Sequence, residues 1–128
     1  MDKELICLDT SILIDYFRKK DKSKTKFVQL TENYSFAVSV IVKFEIFTGI
    51  NVIQKQFWEV LFDKFKVLPL SEQDVEIAAS IFKTLVKQNK IIGLKDILIA
   101  SSAISYNLPI ATFNIKEYER IETLKLIY

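Results

Sequence analysis

Three carboxylates in this chain lie where apolar sequence leaves them little contact with water. Asp9 directly follows an apolar run at residues 5–8, and Asp96 opens an apolar segment that continues to Tyr106. Glu45 has almost only apolar neighbours. A buried carboxylate without a partner costs several kcal/mol, so each of these acids needs a cation, a hydrogen-bond donor or a helix terminus.

Two of these acids, Glu45 and Asp96, also have an ordinary structural explanation, and so does the turn that follows residues 110–112. Glu45 could form a salt bridge with Lys43 or a more distant lysine, and Asp96 could cap the N-terminus of its helix. The turn offers three more oxygen donors, which are Thr112, Asn114 and Glu117. Taken alone, such residues are typical of turns and indicate no chemistry.

Short apolar runs alternate along the chain with longer segments of helical periodicity. The runs predict about five strands, at residues 5–8, 35–40, 66–70, 110–112 and 124–128. The segments between them predict helices, after Asp9, before Asn33 and at residues 41–48, 52–63, 71–90 and 95–106. This alternation indicates an α/β fold in which helices cover both faces of a mainly parallel sheet, as one domain over residues 1–128.

The carboxyl ends of parallel strands meet at one edge of a sheet, where open α/β folds bind their ligands. Asp9 and Asn114 lie just past strand ends, while Glu45 and Asp96 lie near the starts of helices that begin at that edge. All four side chains are therefore expected to face one crevice. Three carboxylates within roughly 4–6 Å would repel one another by a few kcal/mol per pair, which a divalent cation relieves.

The composition limits the chemistry open to such a crevice. The chain has no histidine and one cysteine, Cys7, which lies inside the first apolar run and is expected to be a buried core thiol. These absences exclude histidine-dependent nucleophiles, acid–base pairs and zinc sites. Two glycines are too few for a phosphate-binding glycine loop. Oxygen ligands alone favour Mg²⁺ or Mn²⁺, which can activate water and stabilise charge on a phosphoryl oxygen.

Six of the 18 basic residues fall within residues 18–26. They are Arg18, Lys19, Lys20, Lys22, Lys24 and Lys26, and Asp21 is the one acid among them. The stretch is either a solvated loop after the first helix or a patch that contacts phosphate. In the second case, Lys19 and Lys20 would touch the substrate.

The sequence also predicts where the protein resides. No apolar run approaches the roughly 18–20 residues of a membrane span. The first residues are charged and lead into a run too short for a signal peptide. We therefore expect a cytoplasmic protein with no membrane partner.

Four segments of the chain form a pattern together. They are Leu8-Asp9-Thr10-Ser11-Ile12-Leu13-Ile14-Asp15, Val38-Ser39-Val40 leading to Glu45, Gly93-Leu94-Lys95-Asp96-Ile97-Leu98-Ile99-Ala100, and Ala111-Thr112-Phe113-Asn114 with Lys116-Glu117-Tyr118. In this order and spacing they resemble the four motifs of the PIN-domain ribonucleases, and most closely those of the VapC-type toxins of toxin–antitoxin modules. The resemblance covers essentially the whole chain. It implies a three-layer α/β/α sandwich, an endoribonuclease that depends on Mg²⁺ or Mn²⁺, a homodimer, and inhibition by a small antitoxin whose C-terminal segment fills the active-site groove.

The resemblance also implies roles for individual residues. The acidic metal ligands would be Asp9, Glu45 and Asp96. Thr10 or Ser11 would support the first ligand or touch phosphate. The last motif often carries a further acid, and the matching position here is either Asn114 or Glu117, with Thr112 as a neighbouring oxygen donor. Asn114 is neutral and a weaker ligand, which leaves the number of metal ions open.

Two other interpretations stay open. A PIN-like fold could serve as an RNA- or protein-binding module whose metal site is weak or unused, which Asn114 favours, and the substrate could be DNA instead of RNA. For the nuclease, replacing Asp9 or Asp96 by Ala is expected to abolish cleavage. Removing a repelling charge is also expected to raise the melting temperature of the metal-free protein slightly.

Overall fold

Five parallel strands form one sheet at the centre of the computed structural model, which describes residues 2–128. The strands are β1 (Glu4–Leu8), β2 (Tyr34–Ser39), β3 (Lys66–Leu68), β4 (Ile110–Ala111) and β5 (Leu126–Ile127). The helices are α1 (Thr10–Arg18), α2 (Lys26–Leu30), α3 (Val40–Thr48), α4 (Val52–Asp63), α5 (Glu72–Lys87), α6 (Leu94–Ser105) and α7 (Ile115–Tyr118), with a short 3-10 turn at Lys22–Lys24. The predicted α/β sandwich with a parallel sheet is confirmed.

The strand order is β3-β2-β1-β4-β5, and all neighbours are parallel. Cys7 of β1 pairs with Ala37 of β2 on one side and with Ile110 of β4 on the other. The chain runs outward from β1 to β3 and then returns to β4, so its direction reverses between β1 and β4. Ligands of such folds bind at this reversal, outside the carboxyl ends of the strands. Asp9 and Thr112 are the first residues past those two ends.

The core forms around β1, as expected of a central strand that helices cover on both faces. Ile6 and Leu8 have no exposed surface, and Cys7 is also buried. Burial raises the pKa of the Cys7 thiol to about 12, which confirms the predicted inert core cysteine. Among residues 2–128, no helix combines the length and the apolar character that a membrane crossing requires.

Helix α5 ends at Lys87, earlier than the predicted boundary near residue 90. Asn89 adopts a left-handed conformation with φ 56°. The N–H of Lys90 then donates to the carbonyl of Leu85 at 2.9 Å, and the N–H of Asn89 donates to that of Val86 at 3.1 Å. This Schellman pattern satisfies carbonyls at the helix end and fixes the chain that leads towards α6.

Lys22 has a structural role that the sequence did not reveal. Its Nζ donates to the carbonyl oxygens of Tyr16, Phe17 and Lys19 at 2.8, 2.9 and 3.2 Å, around the C-terminal end of α1. The ammonium also lies 5.0 Å from the ring centroid of Tyr16 and 5.9 Å from that of Phe57. A cation in this position satisfies carbonyls that the helix leaves free and interacts favourably with the helix dipole.

Two of the other basic residues in this stretch lie close to acids. Lys19 lies 3.7 Å from Asp15, and Lys24 lies 3.9 Å from Asp21. The stretch begins at the C-terminal end of α1, whereas Asp9 lies at its N-terminal end, roughly 13 Å away at 1.5 Å per residue. The geometry therefore favours the interpretation of this stretch as a loop over phosphate contact at the crevice.

Replacing Lys22 by Met should lower the free energy of unfolding by about 1–2 kcal/mol, because the side chain keeps its apolar stem but no longer donates to the carbonyls of α1. Lys20→Met is the matched control, since Lys20 is exposed and makes no hydrogen bond or ion pair within residues 2–128. Urea denaturation measures both variants. Equal midpoints for the two would contradict the role assigned to Lys22.

Candidate active site

Asp9 is buried at the junction of β1 and α1, with 2% of its surface exposed. It occupies the N-cap position of α1, yet its carboxylate does not bond to the N–H groups of the helix. Instead Oδ2 accepts hydrogen bonds from the hydroxyls of Ser11 at 2.8 Å and Thr112 at 2.7 Å, and Oδ1 accepts one from Tyr118 at 3.1 Å. These three donors make burial of the charge tolerable and hold the carboxylate in one orientation.

The hydroxyls of Ser11 and Thr112 also fix the turn after β4. Ser11 Oγ accepts a hydrogen bond from the N–H of Phe113 at 3.1 Å, and Thr112 Oγ1 accepts one from the N–H of Asn114 at 2.9 Å. Each hydroxyl therefore donates a hydrogen bond to Asp9 and accepts one from the backbone. The supporting role expected of Ser11 and Thr112 thus has a geometric basis.

Glu45 accepts a hydrogen bond from Thr10 Oγ1 at 2.9 Å, which connects α3 to the start of α1. The alternative of a salt bridge with Lys43 is wrong. The ammonium of Lys43 lies 5.4 and 5.9 Å from the ring centroids of Phe47 and Phe62. Across residues 2–128, no ion pair involves Glu45. Its carboxylate is therefore held by a hydroxyl and not neutralised by a cation.

Asp96 lies in the first turn of α6, and Gly93 occupies the N-cap position, so the alternative that Asp96 is the N-cap is wrong. Its Oδ1 lies 3.4 Å from the hydroxyl of Tyr118, which also donates to Asp9. Tyr118 has no exposed surface. Burial and the charges of Asp9 and Asp96 raise the pKa of Tyr118, so its hydroxyl keeps its one proton, which it can donate to either acid from its position between them.

The charges at this edge act most strongly on Asp96. Burial, followed by the charges of Asp9, Glu117 and Glu45, raises the pKa of Asp96 from 3.8 to about 6, and the hydrogen bond from Tyr118 lowers it. The four carboxylates are therefore close enough to influence one another. The expected rise in melting temperature now applies to Asp96 alone, because removing Asp9 would leave three buried hydroxyls without their acceptor.

Glu117, and not Asn114, lies among the acids. Glu117 is partly buried in the first turn of α7, and its charge raises the pKa of Asp96 more than that of Glu45 does. Asn114 is exposed at the start of α7, and within residues 2–128 its side chain makes no hydrogen bond. Of the two residues that the sequence left open, Glu117 is therefore the one that we propose to act with the other acids.

No cation neutralises this cluster within the described chain. Among residues 2–128, no ammonium or guanidinium lies within 4.0 Å of any of the four acids, and the structure places Lys19 and Lys20 at the other end of α1. No three acidic or thiol groups in that range are arranged to bind one metal ion directly. Joint ligation by Asp9, Glu45 and Asp96 is therefore absent from this geometry.

The cluster nevertheless fits a hard divalent cation in its donor types and its charge. Mg²⁺ keeps several of its waters and needs only one or two carboxylates from the protein. Asp9 and Asp96, bridged by the Tyr118 hydroxyl, supply such a pair. Glu45 and Glu117 add negative charge around it.

Tyr118 lies in the last of the four motifs, but the sequence pattern indicates no role for it. The residue acts through α7, a four-residue helix that the sequence pattern indicated only as a turn. The one signal in the sequence was the spacing of four residues from Asn114 to Tyr118, which is one helical turn. That spacing is too short to predict a helix, so the inward direction of the side chain depends on the tertiary structure.

The family model of the PIN domain matches residues 6–123 of the chain. Ribonuclease VapC of Rickettsia bellii is 33% identical over an alignment that covers 95% of this chain and 94% of that protein. Ribonuclease VapC1 of Methanocaldococcus jannaschii is 31% identical, with coverage of 98% and 87%. The structure of VapBC-1 from nontypeable Haemophilus influenzae is 29% identical, with a TM-score of 0.82 over 96% of both chains. The chain therefore belongs to the PIN domain family, within which it is similar to the VapC proteins.

The raised pKa of Asp96 predicts that neutralising this side chain stabilises the protein, by an amount that depends on pH. The folded carboxyl holds its proton more tightly than the unfolded one, so the stability of the wild type falls as the pH rises from about 4 to about 6. Asp96→Asn should therefore be more stable than the wild type at pH 8, by about 1 kcal/mol because the carboxyl is partly exposed. The difference should vanish near pH 4, as thermal unfolding across this pH range would measure.

Asp63→Asn provides the control for that experiment, since it makes the same change at an exposed position outside the cluster. A gain at pH 8 in both variants would mean that the effect of Asp96→Asn reflects overall charge. A loss of stability in Asp96→Asn at pH 8 would show that the carboxylate stabilises the metal-free fold. That result would contradict repulsion among the acids of the cluster.

Tyr118→Phe should raise the pKa of Asp96 above about 6, because the hydrogen bond from Tyr118 lowers it. Loss of the buried hydroxyl should also cost about 1–2 kcal/mol of stability. Carbon-13 NMR titration of the carboxyl groups measures the first effect, and urea denaturation measures the second. Tyr106→Phe is the control, because the Tyr106 hydroxyl makes no hydrogen bond in the described chain. An unchanged pKa of Asp96 would mean that the bridge is not formed in solution.

Proposed function

We propose that this protein is an endoribonuclease that hydrolyses RNA phosphodiester bonds with Mg²⁺ or Mn²⁺ at the acidic cluster. The observation that carries the proposal is the convergence of Asp9 and Asp96 on the hydroxyl of Tyr118, at the reversal point of the sheet, without a neutralising cation in the described chain. The names of the relatives support the reaction, since proteins called Ribonuclease VapC match almost the whole chain.

The four acids have two different parts in this proposal. Asp9, oriented by three hydroxyl donors, and Asp96 would hold the ion directly. Glu45, fixed by Thr10, and Glu117 would act on its surrounding waters through their charge. When bound, the ion would supply an activated water and stabilise negative charge on the phosphoryl oxygen. The N-termini of α1 and α6 begin at the same edge, and their dipoles favour an anionic substrate there.

A small antitoxin is the partner that we propose for this site. The Haemophilus influenzae structure is of VapBC-1, and the VapBC proteins form a family of toxin-antitoxin systems. Three large apolar side chains within two residues of Glu45, Asp96 or Asn114 are exposed, which are Phe44 at 55%, Leu94 at 67% and Phe113 at 52%. Exposed apolar residues so near to these residues in sequence suit a protein segment that covers the crevice. The predicted homodimer stays a proposal, which the mass in solution would test against the chain mass of 14.9 kDa.

One observation favours a second candidate function, a binding module with a weak metal site. Among residues 2–128, no three acidic or thiol groups are arranged to bind one metal ion directly. Such a protein would bind RNA or a protein at the crevice without hydrolysing a phosphodiester bond.

Cleavage of structured RNA by the purified protein tests the proposal. Mn²⁺ or Mg²⁺ should support cutting and EDTA should abolish it. Asp96→Asn should reduce the rate by about 100-fold or more, because the ion loses one of its ligands. Asp63→Asn, prepared identically, should cut at the wild-type rate. A deoxy version of the same strand tests whether the substrate is DNA instead.

The outcomes separate the two candidate functions. Cutting that survives in Asp96→Asn would show that the activity does not belong to this site. If neither protein cuts while the wild type binds Mn²⁺, as calorimetry would detect, the binding module becomes the better interpretation. Cutting of the deoxy strand at an equal rate would contradict specificity for RNA.

A further inference from the structure

A second charged feature lies beside the acidic cluster, in a cleft between α7 and the loop at residues 88–93. The cleft has a volume of about 490 Å³. Its lining residues are Asn89, Lys90, Ile91, Lys116, Glu119 and Arg120. Three of these are cations and one is a carboxylate, so the cleft carries net positive charge next to a site that carries net negative charge.

The walls of the cleft are fixed by hydrogen bonds. The N–H of Lys90 donates to the carbonyl of Leu85 at 2.9 Å, as part of the turn that ends α5. Arg120 Nη1 donates to the carbonyl of Ile91 at 3.0 Å, which joins the loop to the chain after α7. Ile92, the next residue, is buried. The backbone that carries the cations is therefore held in place before any ligand binds.

The cations of the cleft have no acidic partners in the described chain. Within residues 2–128, no carboxylate oxygen lies within 4.0 Å of Lys90, Lys116 or Arg120. Glu119, the acid of the cleft, accepts a hydrogen bond from the Tyr128 hydroxyl at 3.3 Å. Three cations that share a cleft without a counter-ion favour an anionic ligand.

Both walls of the cleft lead directly into the acidic cluster. The loop continues to Gly93, where a Cβ atom would lie 3.9 Å from Asp96 Oδ2. On the other wall, Lys116 is the residue before Glu117. The cleft and the acidic cluster therefore share two segments of the chain, at residues 89–96 and 116–117.

We propose that this cleft binds a backbone phosphate of the RNA strand, adjacent to the phosphodiester that is cut. The proposal rests on the proposed ribonuclease function. Arg120 uses one of its five N–H donors on Ile91, which leaves others for phosphate oxygens. Lys90 and Lys116 supply point charges beside it. The cleft thus gives the repulsive acidic cluster a neighbouring point of attachment for a polyanion.

Binding of single-stranded RNA to a triple variant, Lys90→Gln with Lys116→Gln and Arg120→Gln, tests this proposal. The background is Asp96→Asn, so that the RNA is not consumed. We expect the affinity to fall by about 10-fold and the slope of log affinity against log salt to decrease by about 0.7 for each phosphate that the variant no longer neutralises. The matched control is the triple variant Lys19→Gln with Lys20→Gln and Lys24→Gln in the same background. It removes three cations elsewhere and should keep the salt slope of the Asp96→Asn protein.

Arg120→Lys separates contact with phosphate from support of the loop. Lysine keeps the charge but cannot reproduce the guanidinium geometry. Recovery of affinity in Arg120→Lys relative to Arg120→Gln supports a charge contact. An equal loss of affinity in both, with an equal fall in melting temperature, would show that Arg120 only holds the loop, and would overturn its assigned contact.

The remaining outcomes distinguish failure of the cleft from failure of the function. If the wild type cuts RNA and the cleft triple binds it with unchanged affinity and salt slope, the cleft proposal is overturned and the ribonuclease stands. If the triple variant of the cleft and the triple variant of the control weaken RNA binding equally, the effect reflects overall charge. The cleft proposal is again overturned in that case. If the wild type neither binds nor cuts RNA, the proposed function fails first and the cleft proposal fails with it.

Discussion

The hydrogen bonds of the Asp9 carboxylate join parts of the chain that are far apart in sequence. Ser11 is two residues away, whereas Thr112 and Tyr118 are 103 and 109 residues away. A carboxylate this deeply buried is tolerated only where donors surround it. Those donors are present only when β4 lies beside β1 and α7 folds over their ends. The buried charge therefore couples the order of the strands to the integrity of the site.

The other acids at this edge of the sheet lower the stability of the folded, metal-free protein. The raised pKa of Asp96 shows that burial and its neighbours disfavour the ionised form. The dipole of α6, whose first turn contains Asp96, offsets a part of that cost. Concentrations of like charge that no internal cation relieves are typical of functional sites, because a ligand supplies the missing charge. Here the ligand with matching chemistry is a hard divalent cation.

Two groups of basic residues in the chain have different surroundings. The dense stretch at residues 18–26 stabilises the end of α1 and pairs with acids close to it in sequence. Lys90, Lys116 and Arg120 are scattered in sequence, yet they share one cleft and have no acidic partner in the described chain. Within residues 2–128, Lys19 and Lys24 of the dense stretch have an acid within 4.0 Å, whereas the three cations of the cleft come together from separate parts of the chain, so charge density along the sequence did not indicate this cleft.

The sequence by itself determined the fold class and the types of ligand that the site can offer. Apolar runs ending at Asp9 and before Thr112 predicted parallel strands with polar residues at one edge, and the lack of histidine restricted the chemistry to oxygen ligands. Only the tertiary structure decided that the charge of Glu117 acts on Asp96, and that the Tyr118 hydroxyl lies between Asp9 and Asp96. Both depend on α7, whose single turn is too short for its sequence to specify. Hydrogen bonds near 3 Å require an orientation that only packing against β1 and β4 provides.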